Sequence, residues 1–113
     1  AIQALKNTVT WMDRLALGVA AIGFAPVAEE MLFRGILYPA VKQAGFPRLA
    51  LWGTSLLFAV VHWNVATFVP LLLLAIVLTL LYEKTNNLLA PITAHALFNA
   101  LNFAMFYFVQ SKL

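Results

Sequence analysis

The stretch FVPLLLLAIVLTLLY, residues 68–82, decides the fold, because it is almost wholly apolar and contains no charged residue. Similar runs occupy residues 15–28 (LALGVAAIGFAPVA), 49–63 (LALWGTSLLFAVVHW) and 88–109 (LLAPITAHALFNALNFAMFYFV). A bilayer-spanning helix needs about 20 residues, which the short runs approach with their flanking Trp, Tyr and Lys. Four apolar runs are too few to close a β-barrel. The sequence therefore predicts an all-α integral membrane bundle of four to five transmembrane helices.

The composition supports a membrane protein and argues against nucleic acid as a partner. The 113 residues are 64% hydrophobic and 10% charged, whereas soluble domains are roughly half apolar and about a quarter charged. The net charge of +3 comes from bases scattered at the ends of the apolar runs, a pattern typical of anchoring to lipid headgroups. The chain has no cysteine, which excludes thiolate metal sites and a cysteine nucleophile.

The first apolar run continues as a helical pattern through EEMLFRGILYPAVKQ to the breaker AGFPR at residues 44–48. One kinked helix or two separate helices fit this stretch equally well. Pro26 can free a backbone carbonyl or kink the helix just ahead of the glutamates. Because the chain starts without Met or a signal-peptide pattern, we expect residues 1–113 to be a single membrane-embedded core cut from a longer protein.

Two adjacent glutamates interrupt this apolar pattern, and ionisable residues inside membrane helices are by default functional hypotheses. Glu30 and Arg34 are four residues apart, so they lie on one helix face and are expected to pair. Glu29 points about 100° away from Glu30 around the helix axis and has no local partner. The spacing therefore predicts one paired and one free carboxylate.

The two histidines and an asparagine complete the set of polar residues that could take part in a reaction. His95 and Asn99 are four residues apart on the last run and share a helix face, and His62 ends the run at 49–63. A free carboxylate beside imidazoles in a water-poor site can activate water as a general base. These residue types predict hydrolysis.

Three ordered motifs resemble those of the CPBP family of CAAX-type prenyl endopeptidases and bacteriocin-processing or self-immunity membrane proteins. They are E-E-x-x-x-R from Glu29 to Arg34, F-x-x-x-H from Phe58 to His62, and H-x-x-x-N from His95 to Asn99. The resemblance covers about residues 24–102, and each motif lies on its own apolar run. It implies a multi-pass membrane endopeptidase.

The resemblance also implies a role for each motif residue. Glu29 is expected to be the general base for the attacking water, which His62 also holds. His95 and Asn99 are expected to donate hydrogen bonds to the oxyanion. The expected supporting residues are Glu30, Arg34 and Phe58: the first two form a structural pair, and the third packs behind His62.

A metal remains an alternative at this stage. Glu29, His62 and His95 are the ligand types of some catalytic zinc sites, and the family is often catalogued as metalloprotease. However, the chain has no His-Glu-x-x-His string, and Asn99 suits hydrogen bonding better than zinc binding. We therefore predict a site without metal or other cofactor, with zinc at these three residues as the alternative.

The predicted function is hydrolysis of a peptide bond near the membrane surface. The family suggests a prenylated protein C-terminus or a processed peptide as substrate, with membrane lipid as the other partner and a bacterial plasma membrane favoured over a eukaryotic endomembrane. One alternative is a non-proteolytic membrane scaffold or bacteriocin-immunity protein. Another is a proton or ion pathway that uses Glu29 and the histidines.

Overall fold

The computed structural model describes residues 10–112. This range forms four helices and contains no strand: α1 (Trp11–Gln43), α2 (Pro47–Val60), α3 (Val65–Thr85) and α4 (Leu89–Lys112). The predicted all-α bundle is confirmed. The apolar run at 15–28 and the glutamate segment that follows belong to one continuous helix rather than two.

Three of these helices are long and apolar enough to cross a membrane. They are α1, α3 and the part of α4 from Leu89 to Gln110, while α2 is a shorter apolar helix. Most of the large apolar side chains on these helices point outward, which suits helices that are surrounded by lipid. The chain is therefore a multi-pass membrane protein.

Local hydrogen bonds explain where the helices begin. At the start of α1, Thr10 Oγ1 accepts from the Asp13 N–H at 3.2 Å, and the Asp13 carboxylate accepts from the Thr10 N–H at 3.0 Å. This reciprocal pair is a capping box. Pro47 begins α2 at a position that requires no N–H donor. Asn64 caps α3 by accepting from the Ala66 N–H at 3.0 Å.

Helix α1 contains two π-helical segments, Ala20–Phe24 and Met31–Leu37. Pro26 and Pro39 follow them closely, and a proline has no N–H to continue the regular ladder. Before each proline, one N–H reaches a carbonyl five residues earlier: Ala25 bonds to Ala20, and Tyr38 bonds to Phe33. The short α-helical segment that carries both glutamates therefore lies between the two π-helical segments, which we call the wide turns of α1. Such π-helical turns are rare and are frequently found at functional sites.

Aromatic and apolar packing joins α1, α2 and α3. Phe33, Phe58 and Ala75 form the buried cluster, and the two phenylalanine rings meet edge to face with centroids 5.3 Å apart. Near the ends of α1 and α3, the Tyr38 hydroxyl donates to Glu83 Oε1 at 2.5 Å. These contacts fix the part of α1 that follows the two glutamates against α2 and α3.

Candidate active site

The structure brings three of the four predicted catalytic residues together from separate elements. Glu29 lies on α1, His62 lies in the turn after α2, and His95 lies in the second turn of α4. Glu29 Oε1 is 3.5 Å from His62 Nε2, and Glu29 Oε2 is 3.9 Å from His95 Nε2. The Glu29 and His62 side chains are 26% and 31% exposed, and that of His95 is 3% exposed. One accessible carboxylate thus faces two imidazole nitrogens.

The backbone of α2 orients the ring of His62. Its Nδ1 lies 2.6 Å from the carbonyl oxygen of Phe58, and a carbonyl can only accept a hydrogen bond. The proton of the neutral ring is therefore on Nδ1, and Nε2 presents its lone pair to Glu29. The Phe58 ring packs against the His62 ring with centroids 4.9 Å apart, as the sequence predicts.

A second carboxylate orients the ring of His95. Its Nδ1 lies 2.7 Å from Glu30 Oε2, and the same oxygen accepts from Arg34 Nη1 at 3.0 Å. Both Glu30 and Arg34 are fully buried, so the ion pair expected from their spacing is present. The bond from Glu30 to His95 was not predicted, because no local pattern relates residues that are 65 positions apart. Like His62, neutral His95 carries its proton on Nδ1 and presents bare Nε2 to Glu29.

The Arg34 guanidinium connects the Glu30 and His95 pair to α3 through hydrogen bonds. Its Nη2 donates to the Ala75 carbonyl at 2.8 Å, and its Nε donates to Thr79 Oγ1 at 3.3 Å. Its carbon Cζ lies 4.8 Å from the centroid of the Phe58 ring, within the range of a cation–π contact. Sequence reasoning missed the contribution of α3, although Thr79 is the lone threonine of the apolar run at 68–82.

Asn99 makes its hydrogen bond outside the group around Glu29. Its Nδ2 donates to the carbonyl oxygen of Ala21 at 2.7 Å, which lies in the first π-helical segment of α1. Asn99 and His95 both reach α1, as expected for residues on one face of α4. The oxyanion role of Asn99 stays a prediction.

The zinc alternative requires Glu29, His62 and His95 to enclose a metal. Their residue types suit zinc, and each Nδ1 has the kind of oxygen partner that often orients a metal ligand. Across residues 10–112, however, no group of three or more His, Asp or Glu side chains is placed to hold a metal ion. The site without metal stays a prediction, and zinc at these three residues stays its alternative.

Comparison with known proteins gives a family match over most of the chain. The model of the family described as "Type II CAAX prenyl endopeptidase Rce1-like" matches residues 11–101. Uncharacterized protein YpbD of Bacillus subtilis (strain 168) is 38% identical over 77 residues, which are 65% of this chain and 36% of that protein. UPF0177 protein YxdF of Lactococcus lactis subsp. lactis (strain IL1403) is 31% identical over 75 residues, or 66% of this chain and 41% of that protein.

A third relative, UPF0177 protein YaiF of the same Lactococcus strain, is 34% identical over 89 residues, or 75% of this chain and 38% of that protein. The chain thus spans between 36% and 41% of the length of these relatives. No solved structure gives a significant match. The family match covers all three motifs and confirms the resemblance seen in the sequence: the chain belongs to the type II CAAX prenyl endopeptidase Rce1-like family.

Proposed function

We propose that this chain is the catalytic core of an intramembrane endopeptidase in which Glu29 activates water. The observation that supports this most directly is the position of the Glu29 carboxylate between two Nε2 atoms, at 3.5 and 3.9 Å. These separations exceed a direct hydrogen bond. A water molecule that bridges the carboxylate and these nitrogens from the open side of the site meets only acceptor atoms, which would orient its hydrogens toward the protein and its lone pair toward a substrate.

In the first step, Glu29 removes a proton from this water while the water oxygen attacks the scissile carbonyl carbon. The new C–O bond forms as the carbonyl π electrons move to the oxygen, which becomes an oxyanion. His62 Nε2 accepts a hydrogen bond from the remaining water hydrogen and holds the nucleophile in place. General base catalysis of this kind contributes about 10²- to 10⁴-fold to a rate.

In the second step, the proton passes from Glu29 to His95 Nε2, which then faces the oxyanion as a donor. The Glu30 carboxylate behind Nδ1 stabilises the positive charge that the ring acquires, as a carboxylate does behind a catalytic histidine. When the C–N bond breaks, His95 donates this proton to the leaving amine. Glu29 and the neutral His95 are then restored for the next cycle.

The substrate class follows from the family description and is part of the proposal. We propose cleavage near the membrane surface, either of a C-terminal tripeptide after a prenylated cysteine or of a processed peptide. The two genera among the relatives, Bacillus and Lactococcus, support a bacterial plasma membrane. Because the matches cover only 36% to 41% of each relative, we propose this activity for a longer protein that contains this core.

The test is cleavage of a prenylated and a non-prenylated CAAX-type peptide by the purified chain and by the full-length protein, both in detergent. Glu29→Gln is expected to lower kcat by at least about 10²-fold, because the amide cannot accept the water proton. Glu83→Gln is the matched control, since it removes a carboxylate that bonds Tyr38 and Lys42 outside the site. A chelator is expected to leave the rate unchanged.

Four outcomes would contradict the proposal. Retention of wild-type activity in Glu29→Gln would show that Glu29 is not the general base. Loss of activity with chelator and recovery with zinc would establish a metalloprotease. Absence of cleavage by both lengths of the protein would instead favour a scaffold or immunity protein, and charge movement in sealed vesicles would favour an ion pathway.

A further inference from the structure

The carbonyl of Ala21 lacks the backbone donors that an α-helix and a π-helix would each supply. In an α-helix its donor would be the N–H of Ala25, but that N–H bonds to Ala20, one residue earlier. In a π-helix its donor would be residue 26, which is Pro26 and has no N–H. The proline and the wide turn together therefore leave this carbonyl available to a side chain.

Asn99 on α4 supplies the missing donor. Its Nδ2 lies 2.7 Å from the Ala21 oxygen, and the Asn99 side chain is partly buried. A protein interior pairs nearly all of its backbone carbonyls, and lipid offers no donor to replace a missing one. The amide of Asn99 thus compensates for the N–H that Pro26 lacks.

This hydrogen bond lies next to two members of the candidate site. Pro26 is three residues before Glu29, and His95 is one turn before Asn99 on the same face of α4. A bond from Asn99 to Ala21 therefore fixes the height and rotation of α4 against α1. His95, whose Nε2 is 3.9 Å from Glu29 Oε2, lies one turn before this bond on α4.

We propose that Asn99 is a positioning residue that holds α4 against α1 through the carbonyl of Ala21, which Pro26 leaves without its helical donor. This inference rests on the proposed function, because it assigns the part that Asn99 plays in the same site. The bond to Ala21 uses one of the two N–H hydrogens on Nδ2, and it is made in the resting protein without substrate.

A double-mutant cycle between Pro26→Ala and Asn99→Ala tests this role. Pro26→Ala restores an N–H five residues after Ala21, so the carbonyl regains a backbone donor and Asn99 becomes dispensable. Asn99→Ala alone is expected to lower the folding equilibrium constant by about tenfold and kcat by at least about tenfold. In the Pro26→Ala background, both losses are expected to shrink to less than about threefold.

Two controls isolate the effect. Pro39→Ala restores an N–H after the second π-helical segment and should not rescue Asn99→Ala. Asn102→Ala removes the same side chain from an exposed position on α4 and should leave the folding equilibrium unchanged. The unfolding measurements need no substrate, so failure of the proposed peptidase activity would leave the test of the hydrogen bond intact.

A loss of kcat that is equal in both backgrounds would overturn the proposal, since Asn99 would then act on the reaction independently of the Ala21 carbonyl; a loss of about 10²- to 10³-fold is the size expected for an oxyanion donor. Equal losses of stability in the two backgrounds would overturn it as well. If Pro26→Ala does not fold, NMR of the substrate-free protein tests the positioning role instead. The Nδ1–H resonance of His95 should shift in Asn99→Ala, and an unchanged resonance would contradict the positioning role.

Discussion

Replacing Arg34 by methionine should destabilise the protein by about 3–5 kcal/mol, the usual result of removing one partner from a buried ion pair. Glu30 would remain fully buried without the guanidinium that now lies 3.0 Å from it. The other lost bonds add little, because the Ala75 carbonyl still accepts from Thr79 Oγ1 at 2.8 Å. Most of the loss therefore comes from the uncompensated charge of Glu30.

The measurement is equilibrium unfolding of the purified protein in mixed detergent micelles, followed by circular dichroism. Lys42→Met is the matched control, since Lys42 and its partner Glu83 are 44% and 35% exposed and such a pair contributes about 0–1 kcal/mol. The double variant Glu30→Gln with Arg34→Met should lose less than Arg34→Met alone, because no buried charge is left unpaired. Equal, small losses for Arg34→Met and Lys42→Met would refute the reasoning.

Two further predictions concern the histidine rings and the glycines of α1. Nitrogen-15 NMR should show the Nδ1–H tautomer for both His62 and His95, because each Nδ1 bonds to an oxygen acceptor; an Nε2–H tautomer for either neutral ring would contradict the proposed arrangement. Gly23→Ala should raise the free energy of unfolding by about 0.5–1 kcal/mol, since nothing lies within 4 Å of the added methyl. Gly35→Ala should gain less or lose, because its methyl meets Leu88 Cδ1 at 3.3 Å; equal gains at the two positions would show that α1 does not pack closely against Leu88, the residue before α4.

The features that could be predicted from the sequence are those set by local geometry and by the solvent. Uninterrupted apolar runs must form helices in a bilayer, so the all-α membrane bundle follows from the runs themselves. The pairing of Glu30 with Arg34 follows from a four-residue spacing on one helix, and the packing of Phe58 against His62 follows from the same spacing on α2 and its turn. Resemblance to a family indicated the other site residues and implied that Glu29 and His62 share one water, but it gave neither the bond between His95 and Glu30 nor the bond from Asn99 to Ala21.

By itself, the sequence determined the membrane helices, the separation of a paired from a free glutamate, and membership of a family with three polar motifs. Only the tertiary structure decided that Glu29 faces two imidazoles, that Glu30 orients His95, and that Asn99 bonds to Ala21. The physical reason is that these contacts join helices whose relative height and rotation depend on packing. A change of register at the wide turns before Pro26 and Pro39 also rotates every later residue of α1, which no helical spacing counted along the sequence can anticipate.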